Sequence, residues 1–208
     1  GRSDVYSTGQ SYLLASGNKW TPRPVLQSYS SYTGYLIDIN YKHLLGENSP
    51  ENIFFQVGPI DHRLPSLEDG ISWSVIFQNY RFAGFSGGHA LLSRHSLEPV
   101  KFSRVAAGQS IIGAWIEVPE AAFPVFLRLE IVPTFLGKLF SLVFKPEYLF
   151  IKVRFLSGKE EKYRIVAKMV ASNFLISPFV RDTEDFVGIL QNQTFSGAEK
   201  VKAIKIET

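Results

Sequence analysis

Histidines 43, 62, 89 and 95 are the side chains best suited to hold a metal or to exchange a proton near neutrality. Their spacing gives neither HxH nor HExxH, and no carboxylate stands at helical spacing to complete a ligand set. The pattern therefore predicts surface or hydrogen-bonded structural histidines and no metal site. GFSGG, Gly84 to Gly88, matches the Gly-x-Ser-x-Gly elbow of serine hydrolases, with Ser86 in the nucleophile position. That elbow needs a strand running into a helix, whereas the following HALLSRHS reads as a second strand, so Ser86-Gly87-Gly88 is expected to be a hairpin turn. Neither GxGxxG nor GxxxxGK(S/T) occurs, so no phosphate-cradling loop and no cofactor is expected. The absence of cysteine excludes disulfides, thiolate nucleophiles and zinc–thiolate sites together. Glu68 and Asp69 in LEDG are the obvious carboxylate pair for glycoside hydrolysis. Between Pro65 and Gly70 they read instead as a solvated turn leading into a helix. NQT, Asn192 to Thr194, fits a glycosylation sequon but carries no function here.

One constellation remains. RPVLQSYSSYTGY, Arg23 to Tyr35, gathers an arginine, an amide, three tyrosines and several hydroxyls, and GPIDHR, Gly58 to Arg63, adds a carboxylate and a second arginine. Arg23, Gln27, Tyr29, Tyr32, Asp61 and Arg63 form the candidate ligand-binding set. Guanidinium, amide, phenol and carboxylate together suit a polar ligand such as a sugar or a phosphate. The competing reading is structural: Tyr29 and Tyr32 pack beneath the loop while Arg23 pairs with Asp61 to pin two loops together.

The elements that would position these residues follow from periodicity and turn chemistry. RPVLQSY has the content of a short strand, and YTGYLIDINYKHLLG has apolar positions near helical spacing with Gly46 as its stop. NIFFQVG is a buried-strand run between Pro50 and Gly58, ISWSVIFQNY is a helix with Ser72 as N-cap, and YRFAGFSGGHALLSRHS is a hairpin. Residues 20 to 96 thus spell a small β-α-β-α-β-β unit. In it the loops after RPVLQSY and NIFFQVG leave the carboxyl ends of neighbouring parallel strands, where open α/β sheets bind ligands. From Val100 the pattern changes to short strands, SIIGAWIEV, VFLRLEIV, YLFIKVRFL, EKYRIVAKM and KVKAIKIE, with a hairpin turn at Ser157-Gly158-Lys159. Leu149, Ile151, Val153 and Phe155 share one face of the third. The expected fold class is α+β: a small α/β domain, 1–97, followed by an antiparallel β-sandwich, 98–208. Phe135, Phe140 and Phe144 are read as core residues of a long connection, against the alternative of an apolar patch facing a partner or a membrane.

With 208 residues, 45% of them hydrophobic and 14% aromatic, the chain can fill a substantial core. Phe occurs 17 times and Met once, a bias toward sheets. The 22 basic residues are scattered among 19 acidic ones for a net charge of +3, which argues against a nucleic-acid partner. No apolar run approaches the roughly 20 residues a membrane helix needs. Gly1, with no Met before it, reads as a cleavage scar, and the natural protein is expected to extend upstream.

SGNKWTPRPVLQSYSSYTGYLIDINYKHL, ENIFFQVGPIDHRLPSLEDGISWSVIFQNYR, PTFLGKLFSLVFKPEYLFIKVRF and KYRIVAKMVASNFLISPFV together cover most of the chain. They resemble the extracytoplasmic C-terminal region of uncharacterised bacterial polytopic membrane proteins, some similar in layout to lipid-linked-sugar glycosyltransferases. The resemblance implies membrane helices upstream, an extracytoplasmic, membrane-anchored location, and catalytic carboxylates in membrane-proximal loops outside this chain. The expected function is accordingly a noncatalytic accessory or recognition domain for an envelope glycan or lipid-linked sugar, partnered with the membrane-embedded part of the same chain. The alternatives are a carbohydrate-active hydrolase using Glu68, Asp69 or Asp61, and a structural protein-interaction module.

Overall fold

The computed structural model describes residues 1–6, 8–132, 148–192 and 199–208. Its architecture is α+β. The first half runs β1 (Arg2–Tyr6), α1 (Gln10–Ala15), β2 (Lys19–Trp20), α2 (Gly34–Leu45), β3 (Asn52–Phe55), α3 (Ser72–Asn79), β4 (Tyr80–Ser86) and β5 (His89–Arg94). These strands form one sheet in the order β2-β1-β3-β5-β4, with β1, β2 and β3 parallel and β5 antiparallel to both β3 and β4. The unit therefore opens with a strand and helix beyond the expected β-α-β-α-β-β order. β1 carries Ser3 and Asp4, which mask its strand pattern, yet both are buried.

RPVLQSY is not a strand. Residues 21–27 are irregular, and Ser28–Ser30 form a 3-10 turn. Pro24 has no N–H to give a ladder, and the groups of Val25 are met by a side chain. Its N–H donates to Asn40 Oδ1 at 2.8 Å and its carbonyl accepts from Asn40 Nδ2 at 3.1 Å. One carboxamide from α2 thus replaces a neighbouring strand.

α2 is capped by Thr33, whose Oγ1 accepts from Leu36 N–H at 3.3 Å, and it buries Ile37, Asn40 and Leu44 along one face. α3 begins at Ser72 with Ile71 at the N-cap and no side-chain cap, and five consecutive residues, Ser72–Ile76, are buried. The β4–β5 hairpin turns on Gly87 (φ 56) and Gly88 (φ 79), positive angles at both central positions as its tight turn requires. Ser86 thus sits at a hairpin end, not on a nucleophile elbow.

The second half contains β6 (Trp115–Glu117), β7 (Val125–Leu127), β8 (Leu149–Phe155), β9 (Glu160–Ile165), α4 (Ala167–Val170), β10 (Phe174–Ser177), α5 (Thr183–Asn192) and β11 (Val201–Glu207). A four-stranded antiparallel sheet runs β6-β11-β8-β9, and β7 pairs with β10 in a separate ladder. Ile151, Val153 and Phe155 are buried on the face expected for them. Phe135, Phe140 and Phe144 lie outside the described residues.

Two apolar cores form, and each draws on both halves of the chain. The first joins Tyr6, Phe55, Trp73 and Leu92 to Leu175, Phe186 and Ile189. Phe186 of α5 stacks on Phe55 at 4.1 Å and on Phe77 at 4.7 Å, so a late helix closes the early sheet. The second unites both later sheets with Leu64 and Leu67 from the loop before α3. Gly70 allows that loop to close: a Cβ there would stand 2.8 Å from Ser66 O and 2.9 Å from Asn173 O. Among the described residues, no helix is long and apolar enough to cross a membrane.

Candidate ligand-binding site

The candidate residues fall into two tiers. The inner tier centres on Arg23, 0% exposed, in the irregular stretch after β2. Its Nη1 donates to Asp4 Oδ2 at 3.0 Å and to Val5 O at 2.7 Å, and its Nη2 donates to Leu26 O at 2.7 Å and Ser28 Oγ at 3.0 Å. Its Nε lies 3.3 Å from Asp69 Oδ2, and the guanidinium rests 3.6 Å from the Tyr6 ring centroid. Asp69 Oδ1 accepts from Asn40 Nδ2 at 2.8 Å and Ser31 Oγ at 3.1 Å. Burial pushes the Asp69 carboxyl above its ordinary value against the pull of Arg23 and these hydrogen bonds, and burial likewise pushes the Tyr6 phenol well up. This sealed network ties β1, the 23–31 loop, α2 and the 60–70 loop together. Arg23 does not pair with Asp61: Asp4 and Asp69 hold it, and the expected loop pin runs to different carboxylates.

The outer tier is built on Arg63. Its Nη1 donates to Tyr29 O at 2.9 Å, its Nη2 donates to Tyr32 Oη at 2.8 Å, and its guanidinium lies 4.9 Å from the Tyr32 ring centroid. Asp61 Oδ2 is 3.8 Å from Arg63 Nη2 and accepts from Arg164 Nη1 at 3.3 Å. Arg164 in turn stands 4.2 Å over the Tyr148 ring. Unlike Arg63, which is buried, the Asp61 side chain is 57% exposed and Tyr32 and Tyr148 are both exposed. Sequence reasoning missed Arg164, whose partner Asp61 lies 103 residues away, and with it Tyr148, which joins the site through Arg164.

Backbone geometry fixes this tier. Asp61 and His62 both adopt φ 53, and among the described residues every non-glycine residue at positive φ falls in this loop, Asp69 (φ 56) being the third. Consecutive left-handed residues cost free energy and persist where surrounding contacts over-determine them, a condition met at ligand-clamping loops. Here Arg164 N–H donates to His62 O at 2.9 Å and Leu64 N–H donates to Arg164 O at 3.0 Å. The loop is thereby added as a short parallel bridge to the edge of β9, and Asp61 is held outward where the two halves meet.

Of the six candidates, Tyr29, Tyr32, Asp61 and Arg63 are brought together; Arg23 belongs to the sealed tier, and Gln27 is exposed and contributes its carbonyl to Ser30 N–H at 2.8 Å. Glu68 and Asp69 are not a solvated turn: both are buried. Glu68 Oε1 accepts from Ile60 N–H at 3.1 Å, and burial raises its carboxyl to about 7 despite that hydrogen bond and the nearby Arg63. Among the described residues, no group of three His, Asp or Glu side chains is placed to hold a metal ion. An exposed carboxylate between two guanidiniums, flanked by phenol rings, can hydrogen-bond paired hydroxyls while a ring carries the apolar C–H face of a sugar. No protein-family model, curated protein or solved structure matches the chain.

Proposed function

We propose that the chain is a noncatalytic recognition domain that binds an envelope glycan or lipid-linked sugar on the surface formed by Tyr32, Asp61 and Arg164. The observation that carries this reading is Asp61: exposed, held by two arginines at one carboxylate oxygen, and presented by a strained loop between exposed tyrosines. The resemblance to extracytoplasmic regions of polytopic membrane proteins supports placing the domain outside the cytoplasm, beside a membrane-embedded part of the same chain. In this reading the four-stranded sheet and the β7–β10 ladder act as two leaves of a sandwich, which their shared core supports.

Titration calorimetry against a panel of neutral and anionic envelope oligosaccharides tests it. A Kd of about 1 mM or below, on the order of −4 kcal/mol, is expected for at least one of them. Asp61→Asn and Tyr32→Ala should each weaken it about tenfold. Asp61→Asn should leave the melting temperature nearly unchanged, because partly exposed ion pairs contribute about 1 kcal/mol or less, whereas Tyr32→Ala also takes an acceptor from buried Arg63 and should lower it while the fold is retained. Silence across the panel, or binding indifferent to both substitutions, refutes the assignment. A second reading, a carbohydrate-active hydrolase, draws on Glu68, whose carboxyl stays protonated up to about 7 as a general acid would. Turnover of any panel member that Glu68→Gln abolishes would favour it.

A further inference from the structure

A second surface, sharing no residue with this site, lies on the connection between β5 and β6. Residues 95–111 have no regular secondary structure, and residues 101–113 are exposed throughout. Connections of this length without structure of their own are uncommon in compact domains, and those that occur are usually functional or disordered. This one is not polar. Phe102 is 45% exposed and Val105 49%, and Phe123 from the segment before β7 joins them at 52%. The three side chains line a groove of about 460 Å³ whose floor includes Phe77 of α3 and Leu190 of α5. Phe102 is seated edge-on against Phe126 at 5.5 Å, so an exposed ring is held in place at the groove mouth.

Charge distinguishes the occupant. Among the described residues, Lys101 is the one charged residue lining the groove, and Arg104 follows between Phe102 and Val105. No Asp or Glu occurs between Glu98 and Glu117. Aromatic and aliphatic tips interleaved with long-stemmed cations in a stretch without carboxylates match the boundary between anionic headgroups and acyl chains, and the exposed Glu120 before Phe123 is paired with Lys200 Nζ at 3.3 Å. A second copy of the chain docked across a twofold axis would bring Lys101 and Arg104 toward their own equivalents, a like-charge contact.

We infer that the Lys101-to-Val105 segment and Phe123 form a docking surface for a bilayer containing anionic phospholipid, with Phe102, Val105 and Phe123 entering the interface and Lys101 and Arg104 meeting phosphates. The inference stands independently of sugar recognition at Asp61. The whole chain is sedimented with vesicles of phosphatidylcholine alone or with about 30% phosphatidylglycerol, at low and high salt. Binding should appear on the anionic vesicles, weaken with salt, and fall about tenfold or more in Lys101→Glu/Arg104→Glu. Phe102→Ser/Phe123→Ser should lose binding with the fold retained, the melting temperature falling only by what the Phe102–Phe126 ring contact contributes. Equal binding to neutral vesicles, no binding, or binding that survives both double variants overturns the inference. Self-association lost in the phenylalanine variant without vesicle binding also overturns it, in favour of a second copy.

Discussion

Arg23 is enclosed by two carboxylates, two carbonyls, a serine hydroxyl and the Tyr6 ring. Removing one partner of a buried ionic network strands the rest without compensation. Arg23→Met is therefore expected to cost about 3–5 kcal/mol in urea unfolding. Arg23→Lys should not rescue it, since one ammonium cannot span the contacts of a five-donor fork. A wild-type midpoint for either variant would show that the network contributes nothing. Glu68 acts in the opposite sense. Its folded-state value of about 7 exceeds the ordinary 4.5, so the folded chain keeps a proton that the unfolded chain releases. Stability from this group is full below about 4.5 and is lost as pH rises through about 7, by up to about 3 kcal/mol. Glu68→Gln keeps the acceptor for Ile60 N–H and removes the charge. It should stabilise the fold at pH 8 by about 2–3 kcal/mol and lose that advantage near pH 4.5. A difference constant across that range would contradict a buried, titrating Glu68. The importance of both residues was only half visible in the sequence. Arg23 and Glu68 were both recognisable as candidate polar groups, but Glu68 was expected in a solvated turn, and Arg23 meets Asp4 and Asp69 only when β1 and the 60–70 loop close around it.

Among the described elements, α5 packs on a part of the fold far from it in sequence. Phe186 contacts Phe55, Trp73 and Phe77, and so covers the sheet built from residues 2–94. Phe186→Ala should cost about 3–5 kcal/mol, read as a shifted chemical-denaturation midpoint. A loss below about 1 kcal/mol would mean that the early sheet holds without this helix. Elements with strong local signals were legible: α2 through its spacing and Gly46, β3 through NIFF, and both glycine hairpins. Elements defined by distant partners were not. β1 hides behind Ser3 and Asp4, β10 is an apolar run with little alternation, and the RPVLQSY segment has strand content but takes its partner from the Asn40 side chain. Of the candidate site, the loop carrying Asp61 was found from its polar content, whereas its docking on the β9 edge depends on main-chain bonds to Arg164 that no local pattern encodes.

At the scale of the molecule, the two cores exchange residues: Leu64 and Leu67 pack with the later sheets, while Leu175, Phe186 and Ile189 pack with the early one. Such sharing couples the halves, so calorimetry should show one cooperative transition with matching van't Hoff and calorimetric enthalpies. Two resolved transitions would show that residues 1–97 and 98–208 unfold separately. The same coupling holds the proposed recognition surface in shape, because Asp61 comes from one half and Arg164 from the other. The most direct test of that surface is an amide NMR titration of the whole chain with the tightest-binding oligosaccharide. Recognition at Asp61 predicts shifts clustered at Tyr32, Asp61, His62 and Arg164, absent in Asp61→Asn and with the sugar left intact. Shifts centred elsewhere, or cleavage of the sugar during the titration, would contradict a noncatalytic recognition site there.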